Sequence, residues 1–285
     1  MPHPAARPPF ASARGRACSI LVQAASLALA LTCPSGANAA LSAEELAKLA
    51  QNPVANLISV PFQNNTNFNY GPEGGTQDVL NIQPVIPVTL NKDWNLITRT
   101  IFPLIWQPAL GPTEDATFGL GDTQFSAFLS PSDASSGWVW GVGAIAQLPT
   151  HTEGSLGNAN WGLGPTAVVL RLRPGNPWVY GVLINNLWSL GTADAPDFNN
   201  GLIQPFLNYN FEGGTYLTSA PILTVDWNAD SGNRWTFPLG GGIGHIFHLG
   251  RLPLNTQLSA YANVVSPENG ADWQLRAQVQ LMFPK

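Results

Sequence analysis

The residues that could carry out chemistry in this sequence are few, and their spacing fits no enzyme. His151 and Ser155 share the segment T-H-T-E-G-S-L-G-N. Hydrolases built on barrels place a His and a Ser two positions apart on one strand face, with a polar residue that orients the His. The spacing here is wider and the segment is Gly-rich. We therefore predict no catalytic residues and keep a barrel hydrolase only as a third hypothesis.

No metal or cofactor site is predicted either. His245 and His248 are three positions apart in a strand-like segment, so their side chains face opposite ways. The glycines between positions 240 and 244 are followed by neither a helix nor the Lys-Ser pair of a phosphate-binding loop. Closely spaced glycines of this kind are more typical of a sheet that curves.

Strands must position the polar residues that remain, and the last stretch of the chain shows how. In Trp273–Phe283 every odd position is apolar, whereas most even positions are polar. Because strand side chains alternate between faces, this segment has one apolar and one polar face. Its length matches the ~9–11 residues that cross a bilayer as a tilted strand. An edge strand of a soluble sandwich shows the same alternation, so this segment alone does not decide between the two.

Strand-like segments separated by turn residues continue from Val54 to the C-terminus and predict an all-β domain. They cover residues 54–70, 78–90, 94–108, 120–130, 138–149, 161–172, 178–190, 202–211, 215–227, 235–248, 252–265 and 273–283. The connections alternate between long and short, which requires an even number of strands. All ten Trp lie near predicted strand ends, as in the aromatic girdles of membrane barrels. The sequence therefore predicts a closed antiparallel transmembrane β-barrel of about 12 strands.

Composition agrees with an exported protein that faces lipid. Charged residues make up only 10% of the chain, against a usual ~25%, which would leave a soluble surface short of charge. Residues 1–39 contain three Arg, an apolar run and the cleavage site Ala37-Asn38-Ala39, and predict a signal peptide. Its removal takes away both cysteines and leaves nine basic and 17 acidic residues, a net charge of −8. That charge argues against a nucleic-acid partner.

Residues 40–53 are predicted to form a short periplasmic helix and linker before the barrel at residues 54–285. Ser42 and Glu45 have the spacing of a capping box, which predicts a helix from about Ala43 to Gln51. Leu46, Leu49 and Ala50 give this helix a small apolar face. The sequence leaves two placements open, either inside the barrel mouth or free in the periplasm.

Proline is the feature that fits regular strands least, because it gives no N–H to the ladder and normally lies at edges or bulges. The prolines within predicted strands are Pro61, Pro84, Pro87, Pro103, Pro165, Pro205, Pro221, Pro238 and Pro253. Either they mark bulges and kinks, or the strands are shorter than predicted. A kink at Pro84, Pro87 or Pro103 could also let a hydrophobic solute leave sideways into the membrane.

Several long motifs carry a family resemblance. They are Ala47–Phe68, Leu80–Pro87, Asp93–Thr100, Phe118–Asp122, Ser231–Gly242 and Trp273–Lys285. On these motifs the chain resembles a family of Gram-negative outer-membrane barrels named for a meta-pathway of phenol degradation. Many members carry the label neuromedin U, which does not fit, since nothing here resembles a short secreted neuropeptide. The resemblance covers nearly all of the mature chain and implies a barrel in the outer membrane with a transport role. It brings no established functional residues.

A polar lumen is the candidate functional site, because a water-filled pore needs inward polar residues. The candidate lumen and constriction residues are Arg99, Asp122, Gln147, Asp226 and Arg276. The two arginines are expected to form internal ion pairs with Asp122 or Asp226, or otherwise to control selectivity. Twelve strands lie between filled and open barrels, which predicts a narrow or partly plugged pore. The third and sixth predicted strands are apolar on both faces, and their inward faces would suit a hydrophobic or aromatic solute.

The leading functional hypothesis is an outer-membrane channel for small, hydrophobic or aromatic solutes. The alternative is a structural barrel with no conducting pore. The expected partners are outer-membrane lipid and lipopolysaccharide, the barrel-assembly machinery through the C-terminal strand, and the solute. The predicted outer connections are acidic, with Arg234 as the opposing charge. This acidic crown either attracts cations or is simply solvated. It comprises Glu73, Glu114, Asp115, Glu153, Asp194, Asp197, Asp230 and Glu268.

Overall fold

A computed structural model describes residues 41–284, which form one α-helix, two short 3-10 helices (Gly154–Leu156 and Glu212–Gly214) and a single sheet of fifteen strands. The α-helix is α1 (Ala43–Ala50). The strands are β1 (Ile58–Tyr70), β2 (Gly75–Ile82), β3 (Val85–Thr89), β4 (Trp94–Gln107), β5 (Thr117–Leu120), β6 (Thr123–Pro131), β7 (Trp138–Leu148), β8 (Gly162–Leu172), β9 (Trp178–Ser189), β10 (Asn199–Asn210), β11 (Thr215–Ser219), β12 (Leu223–Asp226), β13 (Trp235–Leu249), β14 (Leu252–Val265) and β15 (Trp273–Phe283). The predicted signal peptide, residues 1–39, lies outside the described residues.

The sheet closes on itself because the last strand pairs with the first. β15 runs antiparallel to β1 from Ile58 opposite Phe283 to Phe68 opposite Trp273. The remaining neighbours in the sheet are also antiparallel, and β9 pairs with β10 to complete the circle. Closure leaves no sheet edge with unpaired backbone groups, which is the condition for crossing a hydrocarbon layer with strands. The predicted closed all-β barrel is confirmed.

The fifteen strands make twelve crossings of the barrel, as predicted, because three crossings are each broken into two pieces. The broken crossings are β2 with β3, β5 with β6, and β11 with β12. In each case the two pieces pair with the same neighbouring strand. The strand bounds lie close to the predicted segments, and those of β14 and β15 coincide with them.

Prolines account for several of the irregularities. Pro84 lies in the break between β2 and β3, and Pro221 lies in the break between β11 and β12. Pro238 sits at a register shift between β13 and β14. The pairing of β8 with β9 skips Pro165. Strands at these places are therefore shorter or bulged, which are the two outcomes that the sequence left open.

The connections divide the barrel into two ends. At one end, which we call the short-turn end, the turns follow β3, β6, β8, β10 and β13 and are two to six residues long. At the other, the long-loop end, the connections include residues 108–116, 149–161 and 190–198. Both the start of β1 and the end of β15 lie at the short-turn end. This arrangement matches the predicted alternation of long and short connections.

The outer wall of the barrel is mainly apolar, apart from a hydrogen-bonded cluster of Asn64, Thr66 and Asp78 on β1 and β2, and Trp side chains surround it at two levels. Outward residues at mid-height, such as Val142 and Ile184, are 49% and 46% exposed. Trp94, Trp138, Trp140 and Trp178 lie near the short turns, and Trp106, Trp161, Trp188, Trp227, Trp235 and Trp273 lie near the long loops. Several of these Trp side chains stack on another aromatic side chain. Trp273, for example, stacks on Phe68 with 4.0 Å between the ring centroids. An exposed apolar belt between two girdles of Trp residues is the surface that a bilayer requires.

Helix α1 forms where the capping box predicts it. Ser42 Oγ accepts a hydrogen bond from the Glu45 N–H at 3.1 Å, and the Glu45 carboxylate accepts one from the Ser42 N–H at 2.8 Å. The second bond, a backbone N–H to the carboxylate, holds the pKa of Glu45 below its ordinary value. Residues 41–284 contain no helix with the length and apolar character that a membrane crossing requires.

Candidate functional site

The N-terminal segment occupies the lumen at the short-turn end. Leu46 and Ala47 of α1 are 2% and 0% exposed and pack with Ala55 and Leu57. Their partners on the barrel wall are Tyr216 of β11, Ile246 of β13 and Met282 of β15. Because β15 turns its odd positions outward, Met282 faces the lumen, and the helix is inside the barrel. Of the two placements that the sequence allowed, the structure therefore shows the barrel mouth.

The same segment next contacts β10, the neighbour of β11, and then reaches the opposite side of the lumen at Val54. Gln51 and Asn210 of β10 exchange side-chain hydrogen bonds of 2.8 and 3.1 Å. Three residues further on, Val54 is 4% exposed. It packs in an apolar cluster with Ile97, Phe128, Val168, Leu170, Val179, Leu183 and Phe206, from β4, β6, β8, β9 and β10. We call residues 41–57 the plug.

The plug explains why two predicted strands are apolar on both faces. Inward residues of β4 and β8 were expected to line a solute path, but Ile97 and Leu170 are 0% exposed. They are covered by Val54 and by neighbouring side chains of the cluster. The expectation is wrong for Ile97 and Leu170, which form a packed core between wall and plug. Ile101 and Pro103 of β4, in contrast, line a lumen cavity of about 220 Å³.

Above the plug, the lumen contains three cavities that share lining residues. The largest, about 580 Å³, opens at the long-loop end, and we call it the vestibule. The central cavity, about 220 Å³, shares Ile222 with the vestibule. The third, about 140 Å³, lies against the plug and shares Gln63, Gln83, Arg99 and Gln204 with the central cavity. The lumen therefore narrows from the long-loop end towards the plug.

Arg276 lies in the wall of the vestibule and is 3% exposed. Its Nε donates to Asn65 Oδ1 at 2.9 Å, one terminal nitrogen donates to the Ala220 carbonyl at 2.8 Å, and the other donates to Gln274 Oε1 at 3.0 Å. Its guanidinium also lies 4.8 Å from the centroid of the Tyr261 ring. All of these partners are neutral.

Arg99 lines both the central cavity and the cavity next to the plug, and it donates to the Gln83 side chain. Within residues 41–284 the close contacts between basic and acidic side chains are Lys48 with Glu44 and His151 with Asp122, the second being ionic only when the imidazole is protonated. Neither lumen arginine is part of such a contact. The expected pairing of Arg99 and Arg276 with Asp122 or Asp226 is therefore wrong, since amide and carbonyl oxygens take the place of the carboxylates.

Asp122 has a different role, as the anchor of the loop at residues 149–161. It lies in the break between β5 and β6, where its carboxylate is 2.6 Å from His151 Nδ1. The Asn158 N–H donates to the same carboxylate at 2.6 Å, and the Gln147 side chain does so at 3.2 Å. Asp122, which lines the central cavity, and Gln147 are thus hydrogen-bonded to each other, and Asp122 holds the loop against the barrel. The His151 ring is bonded to Asp122 rather than to Ser155.

Asp226 is not a constriction residue. It ends β12 at the long-loop rim, is exposed, and accepts a hydrogen bond from the Asn228 N–H at 2.9 Å. The alternation pattern predicted an inward direction, but the strand ends at this residue and the side chain caps the following turn. The residues of the acidic crown are exposed at this same end. Within residues 41–284 no group of three or more His, Cys, Asp or Glu is arranged to hold a metal ion.

Two features of the site were not predicted from the sequence. The first is the break at Ala220–Ile222, where the backbone is held by side chains from β14 and β15. The Ala220 N–H donates to the Tyr261 hydroxyl at 3.2 Å, and its carbonyl accepts from Arg276. The second is Gly244, whose missing side chain leaves room for the Tyr216 ring, since a Cβ there would lie 2.1 Å from it. The proline at 221 indicated the break but not the residues that stabilise it.

One cavity on the outer wall bears on the hypothesis that a solute leaves sideways into the membrane. A cavity of about 450 Å³ on the outer wall is lined by Pro165 and by outward residues such as Ile184. It shares Thr166, Asn185 and Leu202 with the central cavity. The lumen and an outer-wall cavity thus share wall residues next to Pro165. A lateral exit at Pro84, Pro87 or Pro103 stays a prediction.

Comparison with solved structures supports the fold. An outer membrane channel from Pseudomonas putida F1 superposes with a TM-score of 0.61 at 16% identity, covering 80% of this chain and 94% of that one. The NanC porin gives 0.49 at 9% identity, covering 80% and 100%. Outer membrane phospholipase A from Escherichia coli gives 0.43 at 14% identity, covering 86% and 99%. No family model matches this sequence. No curated protein matches it either.

Proposed function

We propose that this chain is an outer-membrane channel of a Gram-negative bacterium that admits small solutes from the long-loop end. The apolar belt and the two rings of Trp support a membrane location. With the N-terminus in the periplasm, the long loops face outside, as in other bacterial barrels. Export through the predicted signal peptide at residues 1–39 belongs to the same proposal, as does membership of the phenol meta-pathway barrel family that the sequence resembles.

The observation that carries the proposal is the row of three cavities along the lumen. Their walls contain Asn and Gln side chains together with Arg99 and Arg276, which a hydrated path requires. Apolar residues such as Leu110 and Ile222 also line the vestibule. These walls favour a solute that combines an apolar or aromatic body with a polar group. The plug narrows the path and gives the channel a small resting conductance.

Single-channel recording tests the proposal. The mature chain, refolded and inserted in planar bilayers, is expected to show small, discrete current steps, because cavities large enough to hold water extend from the vestibule to the plug. Insertion must be shown separately, by heat-modifiable migration on a gel, so that silence can be interpreted. Inserted protein that never conducts, even at high voltage, would favour the alternative of a structural barrel without a pore.

The hydrolase hypothesis has one observation in its favour, the short contact between His151 and Asp122. However, that carboxylate is also occupied by Asn158 and Gln147 and anchors a loop. A nitrophenyl ester assay on the refolded protein distinguishes a catalytic role of this contact from a role in anchoring the loop. We expect no hydrolysis above the rate of a His151→Gln variant.

A further inference from the structure

The vestibule contains a buried positive charge that no acidic side chain neutralises. Arg276 is 3% exposed, and its three hydrogen-bond partners are two side-chain amides and a backbone carbonyl. Such dipoles satisfy N–H groups but leave the net charge in place. Burying a charge away from water is costly, and a carboxylate partner would normally offset that cost. Here no carboxylate of the described residues is within ion-pair distance, and Arg276 lines the vestibule.

The guanidinium is also fixed in direction. Tyr261 packs on it, and three of its five N–H groups are held by Asn65, Ala220 and Gln274. Two N–H groups, one on each terminal nitrogen, remain for a ligand. A planar fork held in this way is suited to a carboxylate, whose two oxygens match its geometry. Because the donors are already ordered, little entropy is lost when an anion binds.

The remaining wall of the vestibule is partly apolar. Leu110, Ile222 and Pro238 line it together with Arg276. Its volume of about 580 Å³ lies within the ~300–1,000 Å³ range of small-molecule sites. A ligand with a charged end and an apolar body would satisfy both parts of the wall, whereas an inorganic anion would satisfy one.

We infer that the vestibule is a binding site for a small monoanion with an apolar body, of the aromatic carboxylate class, whose charged group contacts Arg276. Arg99 then offers the next positive charge along the path, since Ile222 lines both the vestibule and the central cavity. The carboxylate of Asp122, which also lines the central cavity, is occupied by hydrogen bonds with His151, the Asn158 N–H and the Gln147 side chain. This inference rests on the proposed function for its transport meaning, but the binding itself can be measured without transport.

The negative charges of the acidic crown repel an anion, whereas Arg276 attracts it, and the two effects can be ranked. Glu268, the crown residue at the vestibule, is exposed. Exposed charges are screened over ~8 Å at physiological ionic strength, whereas buried charges are screened much less. The attraction of a buried guanidinium for an anion therefore exceeds the repulsion from the rim.

The test uses benzoate, acetate and benzamide as probes of the refolded mature protein. Acetate has the charge without the ring, and benzamide has the ring without the charge. In bilayers we expect chloride to permeate more readily than potassium, and benzoate to block this current at a concentration at least about fivefold lower than acetate does. Benzamide should not block. Equilibrium dialysis of labelled benzoate against detergent-solubilised protein measures the same site when no current is seen.

Arg276→Gln should weaken benzoate binding at least about tenfold, because a charged hydrogen-bonded contact is lost. Arg276→Lys should keep part of the affinity. Arg251→Gln, which removes an exposed positive charge from a short turn, should change nothing. Equal affinity for benzoate and benzamide, or cation preference in the unmodified channel, would overturn the inference even if Arg276 variants fail to fold. Absence of current with intact benzoate binding would count against the proposed function alone.

Discussion

The two ends of the lumen are built on opposite principles. At the short-turn end, inward residues such as Phe128 and Leu170 pack against the plug as in the core of a soluble protein. At the long-loop end, inward residues such as Asn65 and Arg276 surround a cavity of about 580 Å³. The strands run through both halves without a change of fold. The difference lies in whether a chain segment covers the inner wall, and this decides where the lumen is hollow and where it is filled.

Removal of the plug should have the largest effect on this contrast. A mature chain that begins at Val54 lacks α1 and the Gln51 contact with Asn210. We expect its single-channel conductance to rise severalfold, because the third cavity then opens directly to the periplasm. The barrel should remain closed, since the β1–β15 pairing starts only at Ile58.

Leu46→Glu in the full-length chain is the milder form of that experiment. It places a charge where Leu46 is 2% exposed and should expel the helix without shortening the chain. Lys48→Gln, which alters the ion pair with Glu44 on the same helix, is the matched control. Unchanged conductance in both the truncated chain and Leu46→Glu would show that the plug does not limit the current.

The packed half should be the more sensitive to cavity formation. Phe128 faces the apolar cluster and is 1% exposed, whereas Phe125 on the same strand faces outward and is 41% exposed. Phe128→Ala should lower the free energy of unfolding by about 3–5 kcal/mol, the usual cost of an unfilled core cavity. Phe125→Ala should cost less than half as much, because lipid can fill the space. Urea titrations of the two variants in the same lipid measure the difference, and equal costs would mean that the cluster is not packed.

The hollow half depends instead on polar anchors. Asp122→Asn should release the loop at residues 149–161, because the carboxylate loses its charge-assisted contacts with His151 and Asn158. Cleavage after Glu153 by a glutamate-specific protease should then become at least about tenfold faster. Asp226→Asn, at the exposed rim, should leave the rate unchanged. Equal rates in the two variants would argue that other contacts hold the loop.

Sequence reasoning was most reliable where the bilayer or a local contact sets the pattern. The strand bounds and the closure of β15 on β1 follow from alternation and connection length, and the capping box follows from local spacing. It failed where long-range packing decides. An apolar face of β8 can be lipid-exposed, solute-exposed or covered by Val54, and period-two alternation is the same in each case. Gln274 is two residues from Arg276 on the same strand face, but the partners Asn65 on β1 and Ala220 in the β11–β12 break are far away in sequence, so no local spacing could reveal them.

The smallest expected effect concerns how the plug begins. The Glu45 carboxylate accepts the Ser42 N–H, and its pKa lies below the ordinary 4.5. A lowered pKa means that this contact stabilises α1 at neutral pH and is lost as the pH falls through the pKa of the folded state. Amide hydrogen exchange in α1, corrected for intrinsic rates, should therefore accelerate slightly on acidification, by less than about threefold. Glu45→Gln keeps an acceptor but cannot ionise, so its exchange should not respond to pH in this range, whereas Ser42→Ala should be faster at every pH. If Glu45→Gln responds to acid as fully as the unmodified chain does, another group controls the helix. The effect is small because the burial of Leu46 and Ala47, rather than the cap, holds the helix in the barrel.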